Sequence, residues 1–140
     1  MVSKQLERNK QLVKSWINQK LQGNGNPFED LDSNISFFVP GVSSNPIFGQ
    51  FKGIDEVTHF FKLLQEKLAK KKIQQTFEVI DCIAEDNRVV VFLEEIFTFE
   101  DSPEQPYRNQ SAWLFKLNNQ AKITSIDCYD NTLVNSQILE

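Results

Sequence analysis

The sequence is poor in the residues that build metal centres and covalent staples. Its 140 residues hold two cysteines, Cys82 and Cys128, which form no CxxC pair, and a single histidine, His59. A zinc site takes about four clustered nitrogen and sulfur ligands, or three and a water, so no metal centre and no cofactor is expected. Both cysteines lie in apolar, strand-like segments and read as buried free thiols. Five glycines and five prolines are too few for a collagen-like or low-complexity chain. A basic excess is also lacking: 15 Lys and Arg face 19 Asp and Glu, a net charge of −4. Nucleic-acid binding rests on Lys and Arg neutralising phosphates, so that class is excluded. No apolar run reaches the length of a membrane span. The charged start, Met1 to Arg8, lacks the apolar core of a signal peptide, so a cytoplasmic protein is expected.

What the chain does have is apolar mass. Hydrophobic residues make up 40%, with twelve Phe against two Tyr and two Trp. That mass and length suit one domain, residues 1–140, with a core that needs no disulfide.

Leu6, Val13, Trp16, Ile17 and Leu21 recur at helical spacing and predict an amphipathic helix over 3–22. Gly23 to Pro27 stops it, and Phe28 to Asp32 reads as one short helical turn. Ile35 to Val39 is an apolar strand ended by Pro40 and Gly41, and Ile47, Phe48 and Phe51 suggest a short edge strand. Gly53 opens a second helix with Asp55 and Glu56 in its first turn, where the helix dipole favours them. Its predicted buried stripe is Ile54, Val57, Phe61, Leu64 and Leu68, which leaves His59 on the surface. Lys67, Lys70, Lys71 and Lys72 form a solvated basic end to that helix. Four β-type segments follow, at 73–84, 88–99, 107–117 and 122–133, with turns at 85–87 and 118–120. Helices followed by a meander predict an α+β fold in which helices cover one face of a curved sheet.

The chain resembles the nuclear transport factor 2-like superfamily, in its SnoaL-like and ketosteroid-isomerase-like branch. The resemblance runs through 37–41, 51–61, 79–91, 112–123 and 127–132 in the family's order, across nearly the whole sequence. It implies a cone: a curved antiparallel sheet wrapped around the N-terminal helices, with an apolar pocket inside. It also implies a homodimer formed through the outer face of the sheet. The fold hosts many chemistries, so it does not settle the reaction.

The three roles of a ketosteroid isomerase fall on unsuitable residues. Alignment places the base on Val39, the oxyanion tyrosine on Trp16 and the oxyanion aspartic acid on Trp113. That activity is not expected. SnoaL-like cyclases place an acid/base carboxylate late in the sheet, where Asp127 and Asp130 stand. Strand alternation groups Ile126, Cys128 and Asp130 on one face, and the alignment turns that face inward, which favours Asp130. Glu94 and Glu95 are adjacent in an apolar strand, so one must face in. Glu94 shares its face with Val90, Phe92 and Ile96, and Glu95 with Val91, Leu93 and Phe97. Either of them is an acid/base partner for Asp130, with Glu94 as the catalytic candidate, while a salt bridge or an interface role stays open for the pair.

The expected pocket takes Trp16, Val39, Phe61, Phe92, Phe115, Ile126 and Cys128 as walls. Tyr107, Asn109 and Ser111 join it because they share the Trp113 face. The expected partner is a small, largely apolar molecule, with isomerase, cyclase or dehydratase chemistry as the first reading. A second reading comes from a resemblance of 112–123 to the C-terminal domain of orange carotenoid proteins. There a Trp at the Trp113 position and a Tyr at the Trp16 position donate to a ketocarotenoid carbonyl. That resemblance implies a non-catalytic carrier or sensor whose two indoles hold a carbonyl-bearing ligand. A dimerisation scaffold with a filled core is the third.

Overall fold

The computed structural model describes residues 2–140. In chain order they form α1 (Val2–Ser15), a π-helical turn (Trp16–Lys20), β1 (Leu31–Val39), β2 (Gly49–Lys52) and α2 (Gly53–Lys71). The long strands β3 (Ile73–Glu85), β4 (Arg88–Phe99), β5 (Tyr107–Leu117) and β6 (Ile123–Tyr129) follow, and α3 (Thr132–Ile138) closes the chain. One six-stranded sheet runs in the order β2-β1-β6-β5-β4-β3. Every neighbouring pair is antiparallel except β1 with β6, which is parallel.

Alternation along β4 decides which side of the sheet is inside. Val89, Val91, Leu93, Glu95 and Phe97 are all buried, whereas Phe92 between them is 40% exposed. The register carries this face across the sheet: Val91 pairs with Trp113, Leu93 with Ser111 and Glu95 with Asn109, and Trp113 then pairs with Cys128. Val13, Trp16, Ile17, Val57 and Phe60 pack onto it from the helices. The β3–β4 connection turns on Asp86 and Asn87, with Asp86 at φ 55°, a conformation short polar residues tolerate.

Two local features differ from the expectation, each with a physical reason. The first helix ends in an i→i+5 turn, with Leu21 N–H donating to the Trp16 carbonyl at 2.7 Å. In an α-helix Lys20 would share the Trp16 face. Here Leu21 comes round to the sheet side, and Lys20 is freed to pair with Glu29 and Asp30. The second is the C-terminal segment, which leaves the sheet at Tyr129 and forms α3 instead of continuing as strand to 133. Asn131 caps this helix by accepting from Val134 N–H. The expected helical turn at Phe28–Asp32 is a turn without a helix, and β1 begins at Leu31. On α2 the expected stripe of Ile54, Val57, Phe61, Leu64 and Leu68 packs against the core, and Phe60, 4% exposed, joins it while Phe61 is half-buried. His59 and the Lys70–Lys72 end are exposed.

The loop after β1 brings Phe48 back over the strand end, and Gly41 makes this possible. A Cβ on Gly41 would stand 2.1 Å from Phe48 Cγ. Gly41→Ala therefore forces the Phe48 ring aside and is expected to destabilise the protein by about 1–3 kcal/mol. Urea denaturation measures this, and an unchanged midpoint would contradict the packing.

Candidate functional site

A cavity of about 60 Å³ lies between the inner sheet face, α2 and the C-terminal segment. Six aromatic rings line it: Phe37 from β1, Phe48 from the following loop, Phe60 and Phe61 from α2, Phe77 from β3 and Trp113 from β5. Phe37, Phe60 and Phe61 form one mutually packed cluster, with ring centroids 5.2–5.9 Å apart. Phe77 and Trp113 form a second at 5.4 Å. Leu21, Phe61, Leu64, Gln75 and Phe77 are only half-buried and form its outer lip. At roughly 10–15 Å³ per water position, the space of about 60 Å³ holds about four to six waters or a similarly small ligand.

Two carboxylates enter this apolar wall. Glu95 is 3% exposed and receives Ser111 Oγ at 3.2 Å and Asn135 Nδ2 at 3.0 Å on its two oxygens. The same Asn135 amide nitrogen donates to Asp130 Oδ2, also at 3.0 Å. Asn109 Nδ2 donates to Asn135 Oδ1 at 2.8 Å, which fixes the amide's orientation. Asp130 also receives the Thr132 hydroxyl at 3.4 Å. One side chain of α3 thus clamps a carboxylate from the middle of β4 to one just beyond β6.

No positive charge offsets the pair. The cavity wall has no Lys, Arg or His, and neither carboxylate has a salt-bridge partner among the described residues. Burial pushes the Glu95 carboxyl up from 4.5 to about 7, and the Asp130 charge adds to the rise. Bonds from Asn135 and Ser111 and the nearby Trp113 indole pull against it. Burial likewise raises Asp130, opposed by its bonds from Asn135 and Thr132. The Cys128 thiol beside them is raised well above its usual value, chiefly by burial. Trp113 Nε1 is buried and finds no partner at hydrogen-bonding geometry. An acid poised near neutrality, a second carboxylate and a free N–H donor meet in one apolar space, which is the equipment of proton transfer.

The structure divides the sequence candidates. Val39, Phe61, Trp113, Cys128 and Asp130 line the cavity. Glu94 does not. It sits on the outer face of β4 and pairs with Arg108, which also reaches Glu78. The buried member of the pair is Glu95, because it shares its face with Leu93 and Phe97. Phe92 shares the face of Glu94 and is likewise displaced from the pocket. Trp16 is fully buried, but its indole N–H donates to Pro27 O at 2.7 Å, so two indole donors do not meet in the cavity. Asn109 and Ser111 stand behind the carboxylates and orient them. Phe115 and Ile126 belong to the core and do not line the cavity, and Tyr107 packs at the core's edge. Asn135 is the residue that sequence reasoning missed. The cluster Asp130-Asn131-Thr132 is a usable helix-start signal, and it would have separated α3 from the strand.

No protein-family model matches the sequence, and no curated protein matches it. Solved structures do match. An NTF2-like protein from Burkholderia xenovorans LB400 superposes with a TM-score of 0.72 at 17% identity, covering 96% of this chain and 98% of that one. TerC, co-crystallised with polyporic acid, gives 0.78 at 12% identity over 94% and 97%. The chain has the nuclear transport factor 2-like fold. A Catenulispora acidiphila protein with a ketosteroid isomerase-like fold, in complex with trimethylamine, gives 0.66 at 13% identity over 91% and 90%. Within that fold, this chain has Val39 and Trp113 in the cavity wall, Trp16 in the core, and its buried carboxylates at Glu95 and Asp130.

The raised Glu95 pKa carries a stability consequence with a definite sign. The folded protein holds this proton more tightly than the unfolded chain, so the site is most stable below about pH 4.5 and loses stability as pH rises towards about 7. The span corresponds to about 3 kcal/mol. Glu95→Gln keeps the shape without the charge, with its amide oxygen placed to accept from Asn135 and its amide nitrogen to donate to Ser111 Oγ. The variant is expected to match the wild type near pH 4.5 and to exceed its stability by about 1–3 kcal/mol at pH 8. Denaturant melts of both proteins at the two pH values test this, and a constant difference would contradict it.

Proposed function

We propose that the protein binds a small, mostly apolar molecule in the cavity and that Glu95 exchanges a proton with it. The observation that carries this reading is a deeply buried carboxylate, pushed to about 7, opening into an aromatic space beside a second carboxylate. A group with that pKa is half ionised at neutral pH and serves as base or acid without a large penalty. Trp113 Nε1, still unpartnered, is available to steady a ligand oxygen. Asn135 bridges the two carboxyl groups and fixes their positions in the cavity wall. Chemistry of the isomerase, cyclase or dehydratase kind uses such a proton shuttle.

A cavity of about 60 Å³ is far smaller than the roughly 300–1,000 Å³ of drug-sized sites, which speaks against a carotenoid-length ligand. It also speaks against a pure scaffold with a filled core. Exchange of the α-protons of small ketones in D2O, followed by NMR, tests the proposal. The wild type is expected to accelerate exchange for at least one of them, and Glu95→Gln to slow it by about 100-fold or more. No acceleration for any of a set of four- to eight-atom ketones would leave a carrier and remove the enzyme.

We also propose a homodimer through the outer sheet face. The register aligns Ile83, Val90 and Leu114 in one row, and Phe92, Ala112 and Tyr129 in the next. Ile83, Phe92 and Tyr129 are 55%, 40% and 59% exposed, which is a costly surface to leave in water. Phe92→Lys combined with Tyr129→Lys is expected to give a monomer by sedimentation, and a persisting dimer would rule out this face.

A further inference from the structure

The charge in the cavity is incomplete, and the incompleteness has a chemical complement. Two carboxylates, Glu95 and Asp130, share one neutral amide donor, Asn135, and no basic side chain reaches the space. Aromatic rings from two separate clusters, Phe37/Phe60/Phe61 and Phe77/Trp113, line the same space. Ring faces carry negative electrostatic potential, so a ring that turns its face to the cavity adds to the field of the two carboxylates. Trp113 Nε1, 5% exposed as a residue and unpartnered, supplies a single donor into the same wall.

From this arrangement we infer that the ligand is a small alkylammonium ion bearing a hydroxyl or carbonyl oxygen. The cationic head lies among the rings against Glu95 and Asp130, and the oxygen accepts from Trp113. A cation of this kind does two things that a neutral hydrocarbon cannot. It neutralises the carboxylate pair, and its diffuse charge is cheap to dehydrate against aromatic faces. The volume suits a head of four or five non-hydrogen atoms, with the remainder lying along the half-buried lip of Leu64 and Gln75. The assignment rests on the proposal that the cavity takes a small ligand, and it adds the ligand's charge.

Calorimetric titration of the full chain with choline and with 3,3-dimethylbutan-1-ol separates the two ideas. These probes share shape and hydroxyl and differ in one atom, a charged nitrogen against carbon. At pH 8, where Glu95 is ionised beside its titratable neighbours Asp130 and Cys128, choline is expected to bind about tenfold or more tightly. Glu95→Gln should reduce that preference to about twofold. Trp113→Phe should weaken choline more than tetramethylammonium, which has no oxygen and loses only the ring contact. Equal affinity for the two probes in the wild type overturns the cation assignment and leaves the small-ligand cavity standing. Binding of neither overturns both. A preference that survives Glu95→Gln in full places the cation elsewhere on this acidic protein and also overturns the assignment.

Discussion

Glu95 stands between Leu93 and Phe97 on the inner face of β4, where strand alternation would place a third apolar side chain. Putting a carboxylate there imposes conditions on the rest of the molecule. Its oxygens need donors, which Ser111 supplies from the neighbouring strand and Asn135 from α3. Asn135 in turn has to be held, and Asn109 and Asp130 hold it. The C-terminal helix is therefore tied to the sheet through polar contacts centred on one residue. The Asn45 side chain adds a tie from the loop by donating to Leu139 O at 2.8 Å. Breaking one member of such a network strands the others in a low-dielectric interior, so the cavity end of the fold behaves as a unit.

The same carboxylate separates this protein from the ketosteroid isomerase pattern that its fold suggests. Where alignment puts that pattern's base, this chain has Val39, and where it puts the oxyanion acid, it has Trp113. The buried carboxylates stand on β4 and at the junction of β6 with α3. The cavity remains aromatic and small, and its charge is concentrated in one pair at one end. A scaffold that carries its site on strand faces can relocate a charge by a single strand without altering its packing.

The fold was legible in the sequence because its signals are periodic. Helical spacing of Val13, Trp16 and Ile17, and the alternation through 88–99 and 107–117, describe faces that only one architecture buries together. The site was less legible for three physical reasons. Glu94 and Glu95 stand in an apolar strand whose outer face also carries Val90, Phe92 and Ile96, so alternation offered two equal inward sets, and the resolving contact, Arg108 with Glu94, crosses strands. Asn135 became visible only once β6 was seen to stop at Tyr129, and a short polar helix after an apolar strand has a weak signal. Trp16 and Trp113 look alike in sequence, but only the fold shows that Pro27 O accepts from the first while the second lies near Glu95 without hydrogen-bonding geometry.

The central claim is that Glu95 is a buried carboxylic acid poised near neutral pH by its surroundings. Carboxyl carbon NMR of the protein labelled with ¹³C at glutamate, with Glu95 assigned by its absence in Glu95→Gln, measures this directly. Glu95 is expected to titrate near pH 7. A Glu95 midpoint at the ordinary carboxylate value of about 4.5 would contradict it.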